Sequence, residues 1–309
     1  MALILFKYNM TENFMKYLLL ILTSLFISNS VYSQLNVVTT YPYIADIVKQ
    51  IGNDKIQVTS LARGDYNPHV IIPKPSSIAK ARKADLLIIN GAQLEIGWLP
   101  PIIKQANNAE IQPGEKGFFD LSTCVQLIDI PTSVSRDLGD VHPEGNPHFS
   151  LNPDNILIIA KAITQKLCEL DPENTSFYQT SVAEFVRIWR QKTKEWTDKM
   201  EPLRGIKVIE YHKVYDYFLR RFGLVIAGTI EPLPGIPPTT KHIGEVEKII
   251  ERDKIRHIMQ DVYNPHDASE YLSKRLSVKM IILPHDVGAV KEADGIITLF
   301  DEIVRRMTQ

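Results

Sequence analysis

The 309 residues are enough for one large domain or two ordinary ones, and 35 Lys and Arg nearly balance 36 Asp and Glu. No basic stretch is dense enough for a nucleic-acid footprint or a polybasic membrane patch, so those partners are excluded. Two cysteines, Cys124 and Cys168, without a CxxC, leave neither a thioredoxin-like centre nor a Cys-rich zinc knuckle.

From Tyr17 to Ser28 the chain carries no charge; Lys16 precedes the run, and the small-residue site Val31-Tyr32-Ser33 comes after it, ahead of Gln34. That order is a secretory signal peptide over 1–33. Twelve residues rise only about 18 Å as a helix, short of a bilayer core of roughly 30 Å. Met15 offers an alternative start, because residues 1–14 add a second, polar-interrupted apolar patch that a signal peptide does not need. The mature protein is expected to begin near Gln34, to reach the periplasm, and to lack a lipid anchor, since no cysteine adjoins the cleavage site.

Short apolar runs then alternate with amphipathic stretches. Strands are expected over 35–39, 56–61 and 86–90, with helices over 44–51 and 76–83 between them. Asn152-Pro153 supplies an N-cap and a first-turn proline for a helix whose apolar positions include Ile156, Ile159 and Ile163. Asp171-Pro172 repeats the device and predicts a helix over 172–200, with a stripe of Tyr178, Val182, Phe185, Trp189, Trp196 and Met200. Beyond it the alternation resumes: strands over 207–210, 225–229, 255–260 and 280–283, and helices over 213–222, 243–252, 268–276 and 295–307. The pattern predicts an α/β chain in two lobes, each a mainly parallel sheet flanked by helices, joined by one long rigid helix. The lobes span 34–171 and 201–309. A faint echo between TTYPYIADIVKQIG at Thr39 and IEYHKVYDYFLRRFG at Ile209 suggests related halves.

Four of the eight histidines sit where strands or short turns give way to helices or loops: His69, His148, His212 and His285. Ligand sites in open α/β sheets form outside the carboxyl ends of strands, so these four can converge on one cleft. Imidazole nitrogen favours zinc, copper or nickel over calcium or magnesium, and three imidazoles with a carboxylate make a tetrahedral zinc site. Asp286 offers such a carboxylate. His242, His257 and His266 lie on or beside polar helical segments and read as ordinary surface or hydrogen-bonded residues. The stiff segment 228–238, with four prolines and two glycines, is either a rigid connection or a cleft wall that positions Glu231.

Five segments together resemble the metal-specific solute-binding proteins of ABC importers for zinc and manganese. They are NPHVIIPKPSSIAKARKADLLIINGAQLE (67–95), HPEGNPHFSLNPDN (142–155), IEYHKVYDYFLRRFGL (209–224), GTIEPLPGIPPTTKHI (228–243) and ILPHDVGAVKEAD (282–294). They span nearly the whole mature chain in family order. The resemblance implies an ion buried between two lobes, with ligands at His69, His148 and His212. Three histidines resemble zinc-preferring members; manganese-preferring members tend to carry a carboxylate third. For the fourth ligand, aligning on Gly288 places His285 where some members have Asp, whereas Asp286 matches the residue type and is favoured on charge. The long His- and acid-rich loop of many zinc members is absent, and the stretch before the second ligand offers only Asp137, Asp140, His142 and Glu144. The resemblance implies a monomer, not an enzyme, that delivers Zn2+ rather than Mn2+ to a membrane permease. A zinc hydrolase is the rival class, for which neither HExxH nor a clustered H-x-H is present, and a metal-dependent adhesin of the same architecture is a third.

Overall fold

The computed structural model describes residues 34–132 and 142–309. The expected signal peptide, the alternative start at Met15, and Asp137 and Asp140 lie outside those residues.

Leu86–Ile89 is a run of four apolar residues, all buried, with helices on both sides in sequence, and it forms an inner strand. Around it β1 (Leu35–Thr39), β2 (Ile56–Ser60), β3 (Leu86–Ile89) and β4 (Phe118–Asp120) pair in the order β2-β1-β3-β4. A second sheet of β5 (Lys207–Glu210), β6 (Val225–Thr229), β7 (His257–Asp261) and β8 (Lys279–Leu283) has the order β6-β5-β7-β8. Every pairing is parallel. The two halves therefore share one topology, and the sequence echo falls on the first strand–helix unit of each.

In the first half the helices are α1 (Pro42–Gly52), α2 (Pro75–Arg82), α3 (Leu99–Ala106) and α4 (Pro153–Leu170). Proline in the first turn of α1, α2 and α4 forfeits an amide that has no partner inside the helix anyway. At α4 the Asn152 side chain accepts from the Asp154 amide. The long helix α5 is Thr175–Met200, 26 residues or about 39 Å. It starts three residues later than the sequence implies, because Pro172–Asn174 is a 3-10 turn. The Asp171 carboxylate, expected as a cap, instead accepts from Asn174 Nδ2 (2.8 Å) and Tyr178 Oη (2.5 Å). The second half carries α6 (Asp216–Arg221), α7 (Thr240–Asp253), α8 (Asp267–Leu276) and α9 (Ile296–Thr308).

Along α5 the predicted stripe buries Tyr178, Phe185, Trp189, Trp196 and Met200. The helix packs against α1 and α4 of the first half and α9 of the second. Trp189 Nε1 donates to Pro153 O (2.8 Å) and Trp196 Nε1 to Asp301 Oδ1 (2.8 Å), so one helix is bonded to both halves. Phe300 of α9 closes an aromatic cluster, its ring 5.3 Å from Trp189 and 5.1 Å from Trp196. One apolar core consequently runs from Val37 through Trp189 and Phe300 to Leu283. A smaller cluster around Ile258 and Val246 serves only the second sheet. Cys124 and Cys168 are both free thiols.

Candidate metal centre

Two of the predicted ligands stand in identical Asn-Pro-His turns. Asn67 Oδ1 accepts the His69 amide (3.0 Å), and Asn146 Oδ1 accepts the His148 amide (2.9 Å). Such turns suit Asn, whose short side chain reaches its own backbone two residues on. The carbonyl before each histidine is pinned from the first lobe. Pro68 O accepts from Tyr41 Oη (2.8 Å) and Trp98 Nε1 (3.2 Å); Pro147 O accepts from Asn90 Nδ2 (3.1 Å). Asn90 is itself fixed by Tyr43 Oη (2.8 Å) and, through its amide, by Glu95 (2.7 Å). Gly91 follows at φ +84, where a Cβ would lie 1.7 Å from Asp120 Oδ1. The third histidine, His212, leaves the end of β5.

These three converge. His69 Nε2 lies 3.4 Å from His148 Nε2, and one nitrogen from each of His69, His148 and His212 falls within 4.8 Å of the others. Zinc–imidazole bonds of about 2.0–2.1 Å in a tetrahedron set the nitrogens roughly 3.4 Å apart, so the cluster has the right size. His148 and His212 are buried and His69 is half-buried. Burial first, then the neighbouring imidazoles, hold His69 and His148 well below the usual histidine pKa. Their nitrogens are neutral at pH 7 and need shed no proton to bind a cation. His212 Nδ1 is hydrogen-bonded to the Glu231 carboxylate, which orients the ring and leaves Nε2 for an ion. The sequence placed Glu231 on a stiff loop but could not pair it with His212.

Asp286 is engaged at the start of α1. Its Oδ1 accepts the Tyr43 amide (2.8 Å) in the first turn of α1 and the Val287 amide (2.6 Å), outside the close cluster. Burial pushes its carboxyl up to about 8. His285 is buried, its ring 4.7 Å from that of Tyr263, and its Nδ1 has no hydrogen-bond partner. It also stands outside the close cluster, though near enough for its charge to act on His69 and His148. His142 places its ring 5.1 Å from that of His69. His242 meets Thr229 O (3.0 Å) and His266 meets Asp261 O (3.3 Å), both apart from the triad. Glu144 accepts from Gln93 (3.4 Å).

Asp286→Asn keeps the acceptor of this cap and mimics the protonated carboxyl. A folded pKa raised from 3.8 to about 8 gives stability that is complete below the unfolded value and lost as pH rises through the folded one. The variant is therefore expected to gain stability over the parent as pH rises toward 9, with zinc affinity unchanged within about threefold. Urea melts at pH 5 and pH 9 with a calorimetric titration check it; a large loss of affinity would return Asp286 to the ion.

A family model described as "Zinc-uptake complex component A periplasmic" matches residues 37–309. The manganese ABC transporter substrate-binding lipoprotein PsaA of Streptococcus pneumoniae is 28% identical over 233 residues, 74% of this chain and 72% of that protein. The metal ABC transporter substrate-binding lipoprotein FimA of Streptococcus parasanguinis is 30% identical over 203 residues, 64% of this chain and 62% of its own length. A crystal structure of ZnuA superposes with a TM-score of 0.74 at 20% identity, covering 89% of this chain and 98% of that one. A manganese-bound periplasmic metal-binding protein from candidatus liberibacter asiaticus gives a TM-score of 0.72 at 19% identity, covering 88% and 97%.

Proposed function

Because the chain belongs to the family described as zinc-uptake complex component A, the solute-binding components of metal ABC importers, we propose that it carries Zn2+ and delivers it to a membrane permease. The observation that supports zinc is the donor set: three converging imidazoles, two of them held neutral, and a carboxylate placed behind the third rather than beside the ion. Manganese prefers oxygen donors, and nitrogen-rich sites favour zinc. His69, His148 and His212 bind the ion in this reading. His285, whose buried Nδ1 lacks a partner, supplies the fourth position in preference to Asp286, which is engaged at α1.

Among the described residues no helix is long and apolar enough to cross a membrane. We place the mature protein in the periplasm, released by cleavage after Ser33 and acting as a monomer. Catalysis is no part of this reading, in which Glu231 orients His212.

Calorimetric titration of residues 34–309 tests the cargo. One zinc per chain, with manganese weaker by at least about 100-fold, is expected; equal affinities would overturn the zinc assignment.

Proton competition gives a second check. Because His69 and His148 stay neutral well below the ordinary histidine range, NMR titration of the metal-free chain should find both imidazoles neutral from pH 7.5 to 6, open to a cation throughout that range. Protonation of either ring above pH 6 would contradict neutral ligands.

A further inference from the structure

The segment that carries His148 is fastened to the second lobe through one residue. Asn146 is buried, and every polar group it has is used. Its amide donates to Ile128 O (2.8 Å), and its carbonyl accepts from Tyr217 Oη (2.8 Å). Its Oδ1 accepts the His148 amide (2.9 Å). Its Nδ2 donates to Lys213 O (2.9 Å) and faces Asp216 Oδ2 (3.4 Å). Lys213 directly follows His212. One planar side chain thus bonds the backbone of a first-lobe ligand on one edge and the backbone beside a second-lobe ligand on the other.

The surroundings stiffen this junction. Tyr217 Oη also accepts the Ile128 amide (3.0 Å), so one hydroxyl of α6 ties two first-lobe stretches of chain. Gly145 sits at φ +118, where a Cβ would lie 2.7 Å from Ile128 O. Outside, Asp129 bridges Lys213 (3.1 Å) and Arg220 (2.6 Å). The other Asn-Pro-His turn has no such reach: Asn67 makes the same bond to its histidine and none to the second lobe among the described residues.

We propose that Asn146 is a positioning residue, a latch between the lobes directly behind the metal, whose amide sets how slowly bound zinc leaves. This rests on the zinc assignment. Release requires His148 and His212 to part, and their backbones cannot part while Lys213 O and the His148 amide share one side chain. His148 and His212 line a cleft of about 250 Å³ together with Glu231, so the latch is expected to act on the closed, fully ligated state more than on the first encounter.

The experiment is stopped-flow zinc release into excess chelator, using the zinc-loaded chain and three variants. Asn146→Ser keeps a hydroxyl to accept the His148 amide but is too short to reach Lys213 O. Asn67→Ser makes the same change in the turn without a latch. Tyr217→Phe removes the hydroxyl from the opposite lobe. Release is expected to speed about tenfold in Asn146→Ser and Tyr217→Phe, with association changed less than about threefold and Asn67→Ser close to the parent. The double variant Asn146→Ser/Tyr217→Phe should release little faster than either single one. Equal effects of the two Asn→Ser changes, or parental release from Asn146→Ser, would overturn the latch.

Hydrogen exchange on the metal-free chain separates this from the zinc assignment. The Ile128 amide, which donates to Tyr217 across the junction, should exchange faster in Asn146→Ser whether or not zinc binds, and parental exchange there sinks the latch. A parent chain that binds no zinc while that exchange signature holds would overturn the metal assignment alone.

Discussion

His148→Ala is expected to lower zinc affinity by at least about 100-fold, more than the loss of any carboxylate that supports the site. The residue is buried, its Nε2 faces that of His69 at 3.4 Å, and no other described carboxylate or thiol joins the cluster to replace it. Glu231→Ala provides the scale. It leaves every ligand imidazole in place but frees His212 Nδ1, and outer-shell losses of this kind cost about 10–100-fold. The order His148→Ala below Glu231→Ala below the parent is therefore the expected calorimetric result. The fold should survive both changes, because the turn at His148 is held by backbone and Asn146 rather than by the imidazole. Unchanged affinity in His148→Ala would remove that residue from the site.

The candidate ligands were legible because their local chemistry is short-range. Asn-Pro-His occurs twice, and in each case the bond that shapes the turn spans two residues. Strands such as β3 announce themselves by an unbroken apolar run. Relations made only by the closed chain were out of reach. The Asp286 bond to the Tyr43 amide joins residues 243 positions apart, so the sequence offered this acid only as a neighbour of a candidate ligand. The Asn146–Lys213 bond spans 67 positions. The elements α3 and β4 were missed for local reasons. Leu99-Pro100-Pro101 looks like a break although prolines suit a first helical turn, and β4 is three half-buried residues with little pattern to read. The carboxylate behind His212 was half visible: four prolines in 228–238 marked a stiff wall, but only the parallel pairing of β5 with β6 brings Glu231 to His212.

Trp189→Ala is expected to destabilise the protein by about 3–5 kcal/mol, the range for truncating a fully buried aromatic. Trp189 has no exposed surface, and it packs between Phe185, Trp196 and Phe300 while its Nε1 holds Pro153 O. The effect should reach both lobes together, because the core it occupies is continuous from Val37 to Leu283. Equilibrium unfolding should then show one transition, with loss of zinc binding coincident with loss of far-UV signal. Val246→Ala lies in the smaller cluster of the second sheet and should cost less than Trp189→Ala. Two separated transitions in the parent would show that the lobes are independent folding units and that α5 merely tethers them. One transition bears directly on transport. A core shared through α5 makes a wide hinge rotation expose apolar surface at roughly 25 cal/mol per Å², whereas breaking the contacts of one loop costs far less. Zinc exchange should therefore proceed with little change in overall dimensions, and small-angle scattering of metal-free and zinc-loaded protein should give the same radius of gyration.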